Sequence, residues 1–138
     1  MRRLPLILSL LACFSVAVAA RPVAARQESG PLDSFGDILI SDMLARLDNL
    51  AVELQNAPEV TGLIVVYARP NKLPGWPLRR ANLAVGYLTQ ARGLNAERLR
   101  VVNGGYRDET RFELWIVPPG SALPEPTPTV RPARRRRR

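Results

Sequence analysis

Apolar residues along this chain change their spacing several times, and each change marks an element. From Ser41 to Asn56, Met43, Leu44, Leu47, Leu50, Ala51 and Leu54 recur three and four apart, with Asp42, Arg46, Asp48, Asn49 and Glu53 between them. That period lays one apolar stripe along an α-helix, with Ser41 suited to cap its start and Pro58 to stop it after Asn56. Thr61–Ala68 is apolar at almost every position, as in a central strand crowded on both faces. Leu78, Ala81, Ala84, Val85, Leu88 and Ala91 predict a second helix that Gly93 ends. In Arg111–Val117, Phe112, Leu114 and Ile116 alternate with Arg111, Glu113 and Trp115, the two-residue period of a strand with one face toward a core. The short runs Ile38–Ile40 and Leu99–Val102 predict two further strands.

The connections fill in the order. Arg69–Pro77 carries three prolines and a glycine and reads as a loop, and Asn103-Gly104-Gly105 is the strongest turn signal in the chain, placing a hairpin between the last two strands. Strand, helix, strand, helix, strand, strand predicts an α+β fold: a two-layer βαβαββ mixed sheet with two helices on one face. Residues 35–118 form this domain. Residues 21–34 read as a disordered linker, and residues 119–138 as a proline-rich, arginine-tipped tail with too little apolar surface to offset the entropy of ordering.

Residues 1–20 change the setting. Arg2 and Arg3, the apolar run Leu4–Leu11 and the small residues Ala17, Ala19 and Ala20 follow the order of a cleaved export signal, and the apolar run is too short to span a bilayer. Export places the protein in the periplasm or envelope of a Gram-negative bacterium. Cys13, preceded by Leu10-Leu11-Ala12, offers the alternative of an outer-membrane lipoprotein, with membrane attachment only through lipidation there. The formal charge is +8, but residues 21–130 hold 12 Lys/Arg against 12 Asp/Glu. The excess lies in Arg2, Arg3 and six arginines of the tail, Arg131, Arg134, Arg135, Arg136, Arg137 and Arg138. An exported tail has little access to nucleic acid, so these six are candidate contacts for anionic envelope polymers.

No histidine occurs, and Cys13 is the only cysteine. Together with the lack of a recognisable Ser/Asp/Lys spacing, this argues against an enzyme, a cofactor or a metal site. An interaction module is the expected class.

The segments LDNLAVELQNAPEVTGLIVVYA, RRANLAVGYL, ARGLNAERLRVVNGGY and TRFELWIV, in this element order, resemble the OmpA-like C-terminal domain of bacterial envelope proteins over about Phe35 to Pro118. The resemblance implies a βαβαββ fold that binds peptidoglycan without catalysis, holding the carboxylate and amine of the stem peptide's diaminopimelate. Arg80-Ala81 matches the family's Arg-Ala, so Arg80 takes the position whose guanidinium pairs with the ligand carboxylate, a bidentate geometry that lysine cannot copy. Where the family carries an aspartate after the second strand, this chain reads Tyr67-Ala68-Arg69-Pro70, and the family's Arg-Arg-Val-Glu is reduced to Arg111-Phe112-Glu113. The candidate ligand residues are therefore Arg79 and Arg80 for anion capture at a helix start, Trp76 and Tyr67 for stacking on sugar rings, and Arg111 on the last strand. Asp108 and Glu109 read as exposed loop charges, because neighbours in a strand point to opposite faces.

Overall fold

The computed structural model describes residues 30–71 and 75–131. The expected export signal with Cys13, most of the expected linker and part of the proline loop lie outside the described residues. So do five of the six tail arginines, Arg134, Arg135, Arg136, Arg137 and Arg138; Arg131 is described. The elements are β1 (Asp33–Phe35), α1 (Ile40–Asn56), β2 (Thr61–Ala68), α2 (Trp76–Gln90), a short 3-10 turn (Ala96–Arg98), β3 (Leu99–Tyr106) and β4 (Arg111–Val117). This is an α+β protein with a four-stranded mixed sheet in the order β1-β4-β2-β3.

Helix α1 buries Met43, Leu47, Leu50, Ala51 and Leu54, the stripe its spacing predicts. Its start differs from expectation. Leu39 takes the cap position with no side-chain hydrogen bond, and Ser41 lies inside the first turn. The residue before a proline avoids the helical region, and Ala57 accordingly turns to φ −126° before Pro58. Arg98 then satisfies the exposed carbonyls of that end. Its Nη2 donates to Leu54 and Ala57 at 2.7 and 2.8 Å, and its Nε to Val60 at 3.1 Å.

β2 forms as expected, parallel to β3 and antiparallel to β4. The α2 crossover returns the chain in the same direction beside β2, as a βαβ unit requires. Gly62 lets helix and strand approach, because a Cβ there would stand 2.7 Å from Leu54. Ile64, Val66, Phe112 and Leu114 meet Leu47, Leu50, Ala81 and Leu88 in the main core.

Several sequence expectations are corrected. Ile38–Ile40 is not the first strand: Ile40 opens α1, and Leu39 and Ile40 are exposed. The strand lies earlier, inside the expected linker, because Phe35 stacks on Phe112 at 5.4 Å and Asp33 accepts from Arg46 of α1 at 2.8 Å. The Asn103-Gly104-Gly105 signal is not a hairpin turn, since β3 runs through it and bulges, with Val66 opposite Asn103 and Tyr67 opposite Gly105. β3 and β4 do not pair; β2 lies between them, and residues 107–110 cross roughly 10 Å over its end, two inter-strand spacings. Helix α2 also begins earlier than expected, at Trp76 with Pro77 in its first turn, so its buried stripe is Pro77, Ala81, Ala84 and Leu88 while Leu78 is exposed.

The last correction concerns the tail. Residues 118–131 belong to the described structure, and residues 127–130 contact the sheet at Tyr67, Gly105 and Tyr106. Thr127 N–H donates to Tyr67 Oη at 3.1 Å, and the N–H groups of Thr129 and Val130 both donate to the Tyr106 carbonyl at 3.0 and 3.1 Å. Val130 forms an antiparallel bridge with Tyr106. Beneath lies a second apolar cluster of Leu63, Val65, Tyr67 and Val117, flanked by Val102 and Trp115.

Candidate functional site

The predicted ligand residues separate onto two parts of the molecule. Arg80 and Trp76 lie at the start of α2, on the helix side of the sheet. Tyr67 and Arg111 lie on strands, engaged elsewhere.

Because α2 begins at Trp76, Arg80 is its fifth residue, one turn past the helix start that the sequence suggested for it, and its setting is decided by its side-chain partners. Its Nη1 donates to Asp37 Oδ1 at 3.2 Å, its Nη2 donates to the Ile38 carbonyl, and its guanidinium lies 5.2 Å from the Trp76 ring centre. The β1–α1 connection, which carries Asp37 and Ile38, is thereby tied to α2. The Arg80 side chain is 14% exposed and that of Asp37 37%, so the pair borders solvent. It opens into a depression of about 570 Å³ lined by Asp37, Ile38, Leu39, Ile40, Asp42 and Arg80. Trp76 is half-buried against the core and braces the guanidinium. Arg79, one residue before Arg80, is exposed and turned toward Gly75.

Asp37 also lines a second, smaller depression of about 280 Å³ with Gly36, Arg69, Glu109 and Thr110. Thr110 is 5% exposed, and its Oγ1 has no hydrogen-bond partner. A buried hydroxyl without a partner costs about 1–3 kcal/mol. Asp108 and Glu109 are exposed, as expected of loop charges.

Tyr67 offers no face for sugar stacking. It is 1% exposed, with Arg107 Cζ 3.6 Å from its ring centre and Thr127 hydrogen-bonded to its hydroxyl. Gly104 makes room for the ring; a Cβ there would stand 2.5 Å from Tyr67 Cε1. Arg111 donates to Ser34 Oγ at 3.0 Å, tying β4 to β1. Of the six arginines expected to contact anionic polymers, Arg131 is exposed where the described tail ends, and Arg134, Arg135, Arg136, Arg137 and Arg138 fall beyond the described residues.

Two groups escaped sequence reasoning. Asp37 stands 43 residues from Arg80, with no local motif to join them. The second group is a polar cluster on the outer sheet face. Glu113, 8% exposed, accepts from Arg107 at 2.9 Å, Trp115 Nε1 at 3.3 Å and the Tyr67 hydroxyl at 3.4 Å. The alternation in β4 had placed Glu113 on a wetter face; Arg107, Trp115 and Tyr67 enclose it there. Among the described residues no group of His, Cys, Asp and Glu is arranged to hold a metal ion, and no helix is long and apolar enough to cross a membrane.

No protein-family model matches the chain, and comparison with curated proteins finds no relative.

Proposed function

We propose that this protein is a non-enzymatic cell-envelope module of OmpA-like fold. It recognises a zwitterionic group, the diaminopimelate end of a peptidoglycan stem peptide, at the Arg80–Asp37 pair. The observation that carries the reading is a guanidinium and a carboxylate 3.2 Å apart at the mouth of an open depression, one suited to a ligand carboxylate and the other to its ammonium. Asp37, contributed by the β1–α1 connection, supplies the acidic partner that the chain lacks after β2. Arg80 has five N–H donors, and its described bonds use one on each terminal nitrogen, which leaves donors for a second carboxylate. The module acts in the periplasm, reached through the export signal.

Co-sedimentation with purified sacculi tests this. Wild type is expected to pellet with sacculi, and Arg80→Ala and Asp37→Asn each to weaken binding at least tenfold. Arg80→Lys should also weaken it, because an ammonium cannot form the two-pronged contact. Failure of the wild type to pellet would remove the reading.

A second reading assigns the contact to the arginine tail, which would hold anionic envelope polymers or a protein partner as an adaptor. It is favoured by Arg131, exposed just after the tail's last bonds to the sheet. Deleting Arg131–Arg138 separates the two: it should abolish low-salt binding to anionic vesicles under the second reading and leave sacculus binding unchanged under the first.

A further inference from the structure

The segment after Val117 does more than lie on the sheet. It turns at Gly120, whose φ is 75°, and runs back as a strap toward Tyr106. Most of its residues face solvent, and a single one is read closely. Thr127 N–H donates to Tyr67 Oη at 3.1 Å, its carbonyl accepts from Arg107 Nε at 3.1 Å, and its hydroxyl accepts from Arg107 Nη2 at 2.6 Å. The groups that read it are themselves held. Glu113 fixes Arg107 and Tyr67 from below, and the Arg107 guanidinium lies against the Tyr67 ring.

The flanking residues are matched as well. Pro126 and Pro128 restrict the backbone to an extended form at small entropic cost. Pro128 rests on Gly105, where a Cβ would approach it to 3.1 Å, and Gly105 has φ 89°, a backbone that favours glycine. The bulge in β3 therefore serves the strap twice: Gly104 admits the Tyr67 ring and Gly105 admits the proline.

From this we infer that the outer sheet face is a recognition site for an extended Pro-Thr-Pro segment, which residues 126–128 of the same chain occupy as an internal ligand. A short tether gives such a ligand an effective concentration in the millimolar range. An individually weak contact is thus kept filled in cis, while the same motif presented in trans can take the site once the strap is released.

The test uses the full chain and a fluorescein-labelled synthetic peptide of residues 122–131. Thr127→Pro in the chain removes both the N–H and the hydroxyl and releases the strap. Peptide anisotropy should then show binding at least tenfold tighter to the variant than to wild type, whose site is filled. A peptide carrying Thr127→Val should bind the variant at least tenfold more weakly than the unaltered peptide. In wild type, the Thr127 amide should be protected from hydrogen exchange, and Tyr67→Phe, which removes its acceptor, should reduce that protection. The inference is overturned if the wild-type Thr127 amide exchanges at the rate of an open chain. It is also overturned if the variant, with an unchanged circular dichroism spectrum, binds neither peptide or both equally.

Discussion

Ile64, Val66, Phe112 and Leu114 on one face of the sheet meet the leucines and alanines of two helices, whereas Leu63, Val65 and Tyr67 on the other lie on the side of a proline-rich strap and a buried Arg107–Glu113 pair. The first face is held chiefly by area removed from water, roughly 1.5–3 kcal/mol for each large side chain fully buried. The second is held by bonds of defined geometry. A carboxylate and a guanidinium that are 10% and 18% exposed need each other, since removing either would leave a mostly desolvated charge. One sheet thus carries a face dominated by apolar burial and a face dominated by directional bonds.

The largest break in this comparison should come from the helix side. Leu47→Ala, at a fully buried position of α1, is expected to lose about 2–5 kcal/mol in urea denaturation. A loss below that of an ordinary surface change would show that the helix layer is not the main core. On the strap side, Gly104→Ala places a methyl group against the Tyr67 ring and is expected to cost about 1–3 kcal/mol. It should also speed exchange of the Thr127 amide, which Leu47→Ala should affect only through global unfolding.

The smallest effect distinguishes a polar tie within the helix layer from the strap-side cluster. Arg92 donates to Asp48 at 2.7 and 2.5 Å and the Tyr87 hydroxyl donates to it at 2.6 Å, joining α1 to α2. The Arg92 bonds first, and the Tyr87 bond next, hold the Asp48 carboxyl below its ordinary range. A depressed carboxyl contributes stability above its unfolded-state value, and that contribution is lost as pH falls through the lower folded-state value. The Tyr87 hydroxyl is raised by its bond to Asp48, so its contribution is present below the ordinary tyrosine range and is lost only at still higher pH. Asp48→Asn should flatten both limbs of the stability–pH curve slightly. An unchanged acid limb, with an NMR titration of Asp48 at the ordinary carboxylate position, would remove this tie.

The sequence made α1, β2 and β4 legible because each carries a long apolar pattern, helical in α1, continuous in β2 and alternating in β4, whose Leu47, Leu50, Ile64, Val65, Phe112 and Leu114 are buried. Where it misled, a distant partner overrode a local preference. Ile38–Ile40 has strand composition, but Phe35 has Phe112 to stack on and Asp33 has Arg46, so pairing starts earlier. Asn-Gly favours a tight turn, yet β3 gains more by continuing alongside β2, and the bulge absorbs the two glycines. Of the candidate site, Arg80 was singled out by the Arg-Ala resemblance and Trp76 by its place at the end of the proline loop, and the structure brings the two side chains together. Asp37 was not, because the topology alone brings the β1–α1 connection to that helix. The strap was read as disordered from its low apolar content, a measure that cannot register three hydrogen bonds converging on Thr127.

β3 is an edge strand, and an edge presents unpaired amides and carbonyls to any other extended chain. By bridging Tyr106, Val130 blunts this edge at the end nearest the buried Arg107 and Tyr67. Release of the strap would return the Tyr106 end of this edge to the pool of unpaired backbone groups that another extended chain can pair with.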